Sequence, residues 1–102
     1  MLKTLEDLIN IIRDRKNSSP DKSYTKKLLE DKSLSTEKVK EEIGELIEAV
    51  ENNSNKIHEA ADVLYHLIVY LEANGVKIED VMDELSKRKK WVTMTIIFLP
   101  KF

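Results

Sequence analysis

Between Val39 and Leu71 apolar residues recur at helical spacing with a single interruption, Asn52-Asn53-Ser54. Val39, Ile43, Leu46 and Val50 form one stripe before it, and Ile57, Ala61, Leu64, Ile68 and Leu71 form another after it. This period suits an amphipathic helix and not a half-buried strand, which needs strict alternation. Short Asn and Ser side chains bond the local backbone and favour turns, so the two segments are expected to fold back as an antiparallel helical hairpin.

Both arms of this hairpin carry acids. Glu41-Glu42-Ile43-Gly44-Glu45 lies in the first and Glu59-Ala60-Ala61-Asp62 in the second. Glu42 and Glu45, like Glu59 and Asp62, are three positions apart and so share a helix face. Acid pairs that face each other across a hairpin have the geometry of a shared cation site. Taken alone, the first arm reads as a solvated face, with Glu42 on the rim of its apolar stripe and Glu41 and Glu45 further round.

The second arm differs, because Val63, Val69, Tyr70 and Ala73 lie beside Glu59, Asp62 and His66 on the side away from its stripe. That helix is expected to be enclosed nearly all round, with partly buried acids. A buried carboxylate must be paired, neutralised or metal-bound, since stripping an ion of water is costly. His66, one turn past Asp62, cannot balance two acids alone, and a metal is the better account. His66 itself suits equally a core histidine bonded to the backbone and one turned toward the acids. Ala60 and Ala61 leave room for another helix to approach.

Leu2, Leu5, Leu8, Ile9 and Ile12 predict a first helix to about Lys16, ended by Asn17-Ser18-Ser19-Pro20-Asp21. A short helix from about Ser23 to Asp31 follows. Ser23, Tyr24, Thr25, Lys26 and Lys27 gather hydroxyls and ammonium groups near its start, where free N–H groups favour anions. The plainer reading has Ser23 as a cap, with Tyr24 and Leu28 packed. Ser35 is expected to cap the helix bearing the first acids, with Glu37 in its first turn. Lys38 can reach a phosphate or pair with Glu41 or Glu42. Asn74-Gly75 stops the central helix, and Val76, Ile78, Val81, Met82 and Leu85 mark a last one. Lys87-Arg88-Lys89-Lys90 reads as its solvated end, or else as a guide for polyphosphate. The tail Trp91–Phe102 is β-prone and uncharged until Lys101.

A chain of 102 residues makes one domain, and one small enough for dimerisation to help it. A net charge of −2 argues against general nucleic-acid binding. No cysteine is present, which removes thiol chemistry and thiolate metal sites and favours a cytoplasmic setting. The scattered charges of the first sixteen positions do not pattern as a signal peptide, and no apolar run is long enough to span a membrane.

Ser23-Tyr24-Thr25, Lys38-Val39-Lys40-Glu41-Glu42, Glu59-Ala60-Ala61-Asp62-Val63-Leu64-Tyr65-His66-Leu67, and Asn74-Gly75-Val76 through Asp80-Val81 and Leu85 stand in the order and spacing of a known family. Residues 1–90 resemble the phosphoribosyl-ATP pyrophosphatases, within the all-α, MazG-like nucleoside triphosphate pyrophosphohydrolases. Lys40 departs from the family, which usually has glycine there. The tail 91–102 lies beyond the resemblance.

The resemblance implies an all-α bundle of antiparallel helical hairpins, four main helices and one short one, assembled as a homodimer. It implies hydrolysis of phosphoribosyl-ATP between its α and β phosphates. Glu42, Glu45, Glu59 and Asp62 match the family's metal ligands, and Glu41 would orient water or bind a second ion. Ser23, Tyr24, Thr25, Lys27 and Lys38 would contact substrate. Oxygen ligands favour Mg²⁺ first and Mn²⁺ second. Two rivals stand beside this reading: a housecleaning pyrophosphohydrolase acting on (d)NTPs, and a non-catalytic helical dimerisation module.

Overall fold

The computed structural model describes residues 2–19 and 23–94, and every regular element among them is helical. Helix α1 spans Lys3–Asp14 and runs into a 3-10 turn at Arg15–Asn17. Helices α2 (Tyr24–Glu30), α3 (Lys32–Glu51), α4 (Lys56–Ala73) and α5 (Ile78–Met94) follow. None of these is long and apolar enough to cross a membrane. Pro20, Asp21 and the tail from 95 onward lie outside the described residues.

Helix α4 is the hub, packing against α1, α2, α3 and α5, with its longest contact along α3. The hairpin between α3 and α4 closes as the asparagine-rich interruption predicts. Asn53 takes φ 52° and Asn55 φ 50°, left-handed values that asparagine tolerates better than most residues. The Ser54 N–H reaches back to the Ala49 carbonyl at 2.9 Å and the Asn53 N–H to Val50 at 3.2 Å, so the last carbonyls of α3 are satisfied. Helix α4 ends in the same way. Gly75 stands at φ 72°, Val76 N–H bonds Leu71 at 2.9 Å, and Gly75 N–H bonds Glu72 at 3.3 Å.

Several sequence expectations are corrected by the fold. Ser35 does not cap α3. Asp31 does, its carboxylate accepting from the Leu34 N–H at 3.0 Å, and Ser35 is buried one turn inside. Nothing in Lys32-Ser33-Leu34 breaks a helix, so the stronger acidic cap upstream sets the start. Lys87–Lys90 is not a helix end, because α5 continues through Trp91–Met94, which are helical rather than extended. The stripe Ile57, Ala61, Leu64, Ile68 and Leu71 is not the core face of α4. Of its members only Ile68 is buried, while Ile57 is 88% exposed and Leu64 50%, and the core side is instead marked by Val69 and His66. Finally, α4 is not enclosed all round: α1 and α2 cover the side bearing Tyr65 and Val69, and the opposite side is bare within one chain.

The core is accordingly Ile9, Ile12, Leu28, Ile68 and Val69, joined by Leu5, Leu8, Leu29, Leu34, Tyr65 and Ile78. Leu2, expected in the first stripe, is exposed, as are Ile43 and Val50 of α3.

An ion-pair clasp closes the far end of the bundle. Arg13 of α1 donates Nε to Glu72 at 2.8 Å and both terminal nitrogens to Glu79 at 2.6 and 2.8 Å, while Lys16 reaches Glu72 at 3.1 Å. Burial pushes the Glu72 carboxyl up, but Arg13 and Lys16 together hold it below its ordinary value. Hydrogen bonding to Arg13 pulls Glu79 from 4.5 down to about 2. A carboxyl with a depressed native pKa stabilises the fold above its unfolded value and loses that contribution as pH falls through the native one. The clasp is therefore expected to act fully above pH 4.5 and to fade toward pH 2. Arg13→Met should flatten this part of the melting profile and lower stability at neutral pH, with the largely buried Glu72 left to Lys16 alone. An unchanged acid slope in the variant would show that the clasp contributes nothing.

Candidate active site

Where α3 and α4 run alongside each other, side-chain oxygens of Glu42, Glu45 and Glu59 all lie within 4.8 Å of one another. The i, i+3 spacing put Glu42 and Glu45 on one face, and the hairpin turn brings Glu59 opposite them. Such crowding is unfavourable for three bare anions. Burial, reinforced by the charge of Glu45, pushes the carboxyls of both Glu42 and Glu59 upward. Glu42 Oε2 and Glu59 Oε2 are moreover shut from solvent and have no hydrogen-bond partner. Orphaned, buried carboxylate oxygens facing a third acid fit a divalent cation, which supplies the missing partner and the missing charge.

Asp62 is placed differently. Its Oδ2 lies 3.3 Å from Nε2 of His58, one turn earlier on α4, and His58, Glu59 and Asp62 form a second close set with Glu59 common to both. Sequence reasoning considered His66 as the neighbouring histidine and passed over His58. The signal was available, because residues 58 and 62 are separated by one helical turn.

His66 follows the first of its two readings, the core histidine bonded to the backbone. It is buried, and its Nδ1 donates to the Asp62 carbonyl at 2.9 Å, the only sense in which a carbonyl can take part. In a neutral ring this leaves Nε2 as the acceptor. The Tyr24 hydroxyl lies 3.4 Å from it, and the rings of Tyr65 and His66 meet edge-on at 4.9 Å. Helix α2 is thus seated on α4 beside the acids. Burial raises the Tyr24 phenol, with Lys38 opposing the rise and Glu42 adding to it, so Tyr24, Lys38 and Glu42 share one neighbourhood.

The remaining candidates divide between scaffold and open edge. Ser23 caps α2, its Oγ accepting from the Lys26 N–H at 3.2 Å. Thr25 Oγ1 meets the Tyr65 hydroxyl at 2.6 Å, which pins α2 to α4. Leu28 packs as the plainer reading had it, but Tyr24 remains 49% exposed. Lys27 is exposed on α2. Lys38 pairs with Glu41 at 3.2 Å, and the hydrogen bond its ammonium donates to that carboxylate raises its pKa. Lys40, the departure from the family pattern, points into solvent from an unbroken α3.

Comparison with known proteins identifies the relatives of this chain. The family described as Phosphoribosyl-ATP pyrophosphohydrolase matches residues 5–89. A phosphoribosyl-ATP pyrophosphatase of Clostridium novyi is 43% identical over 93 residues, covering 86% of this chain and 83% of its own. One from Methylobacterium nodulans is 44% identical, covering 83% and 82%. One from Sulfurisphaera tokodaii is 45% identical, covering 84% and 95%. No solved structure matches. Because the match runs from α1 well into α5 and takes in both acid-bearing helices, the chain belongs to the phosphoribosyl-ATP pyrophosphohydrolase family.

Proposed function

We infer that this chain hydrolyses phosphoribosyl-ATP at the α–β phosphoanhydride, giving phosphoribosyl-AMP and pyrophosphate, an early step of histidine biosynthesis. The observation that carries the reading is the meeting of Glu42, Glu45 and Glu59 across the hairpin, in a chain of this family. With Asp62 they would hold a hard cation, Mg²⁺ first and Mn²⁺ second. A divalent ion there supplies charge neutralisation for the polyphosphate and activation of water. Lys38 brings positive charge, and Tyr24 a neutral hydroxyl, to the edge a phosphate would approach. Glu41 holds Lys38 there until substrate competes for it. A neighbouring carboxylate accepts the proton released by the attacking water, so no serine or cysteine nucleophile is needed.

The assembly we propose is a homodimer, and the setting the cytoplasm. Support for the dimer comes from apolar side chains that a single chain leaves bare: Ile43, Ile47 and Val50 on α3, and Ile57, Leu64 and Leu67 on α4. Gly44 sits among them, with nothing within 4 Å of where a Cβ would stand. A glycine in mid-helix costs about 1 kcal/mol relative to alanine, and close approach of a second copy would explain it.

Pyrophosphate release from phosphoribosyl-ATP, compared with a panel of NTPs and dNTPs in Mg²⁺, tests the reading. Clear preference for phosphoribosyl-ATP is expected. Equal or faster turnover of dUTP or dCTP would move the chain to the housecleaning pyrophosphohydrolases, and no turnover of any of them to a dimerisation module.

A further inference from the structure

We propose that His58 is a nitrogen ligand of the bound divalent ion, biasing this chain's site from Mg²⁺ toward first-row transition ions. The inference rests on the cation reading above and adds a residue to it. His58 and Asp62 are one helical turn apart on α4, the i, i+4 spacing by which helical metal sites place two ligands on one face. His58 Nε2, a Glu59 oxygen and an Asp62 oxygen all lie within 4.8 Å of one another. The nitrogen is aimed at the carboxylates, since Nε2 stands 3.3 Å from Asp62 Oδ2. With a proton on Nε2 the contact is an ordinary hydrogen bond to Asp62, and a bound ion that displaces that proton would take both atoms as ligands.

Two further observations bear on this. Glu59 Oε2, in the same set, is shut from solvent and has no partner. The His58 side chain is 73% exposed, so it is not held in this position by core packing and can adjust to an ion. Carboxylates alone suit Mg²⁺, whereas an imidazole among them favours ions that accept nitrogen.

The test uses the full chain, with Mn²⁺ and Mg²⁺ as probes, and compares wild type with His58→Ala by calorimetric titration and pulsed EPR of bound Mn²⁺. We expect His58→Ala to weaken Mn²⁺ by at least about tenfold, the lower end of what removing even an outer-shell partner costs. Mg²⁺ affinity should change much less, and the histidine ¹⁴N coupling seen in wild type should vanish. The metal-free melting temperature, unchanged because the residue is exposed, certifies the fold. Mn²⁺ bound equally by both proteins, or a ¹⁴N coupling that persists in the variant, overturns the role of His58 while leaving the carboxylate site standing. Failure of wild type to bind either ion overturns the cation reading itself, and His58 with it.

Discussion

Glu45→Gln is expected to slow phosphoribosyl-ATP hydrolysis by about 100-fold or more, roughly 2.7 kcal/mol of transition-state stabilisation, with the helices intact. Glu45 is the strongest position for this test because its charge bears on both half-buried partners, raising the carboxyls of Glu42 and Glu59. Glutamine keeps the shape and removes the charge. Activity and metal-free stability should therefore move apart. Relief of repulsion leaves the apo melting temperature equal or higher, while the stabilisation conferred by added Mg²⁺ shrinks. Asp62→Asn should likewise lose activity, through the other close set. Near-normal turnover in these variants, or unfolding with an unaltered response to Mg²⁺, would make the carboxylates structural and the proposed site wrong.

The second large effect concerns assembly. On the proposed homodimer, Ile47→Glu combined with Leu64→Glu should shift the particle from twice the 11.8 kDa chain mass to the single chain in sedimentation or light scattering. Ile47 is 54% exposed and Leu64 50%, so within one chain neither change disturbs a packed core. A charge forced into a desolvated subunit interface goes unpaired and weakens association severely. If wild type is itself a monomer at micromolar concentration, or if the double variant remains a dimer, the bare faces of α3 and α4 are not where two copies meet.

The resemblance reached the family before any coordinates did, because it rests on local order and spacing: acid pairs a turn apart, an asparagine turn between them, and Asn74-Gly75 after them. The missed elements share a cause. Ser35 and Asp31 are both competent caps, and only the satisfied Leu34 N–H shows which one starts α3. Helical period likewise defines stripes without saying which stripe another helix will cover.

The sequence by itself determined which stretches are helical, though not each helix's ends, where the hairpin turns, and that Glu42/Glu45 and Glu59/Asp62 share faces, since these follow from backbone geometry within a turn or two. Tertiary structure alone decided how α4 is rotated about its own axis. Seating α1 and α2 on its Val69 side buries His66 over Tyr24 and leaves Ile57 and Leu64 bare, and seating α3 alongside sets Glu59 against Glu42 and Glu45. That rotation is fixed by which side chains far apart in sequence pack best together, Ile12 and Leu28 against Ile68 and Val69. No local pattern encodes it.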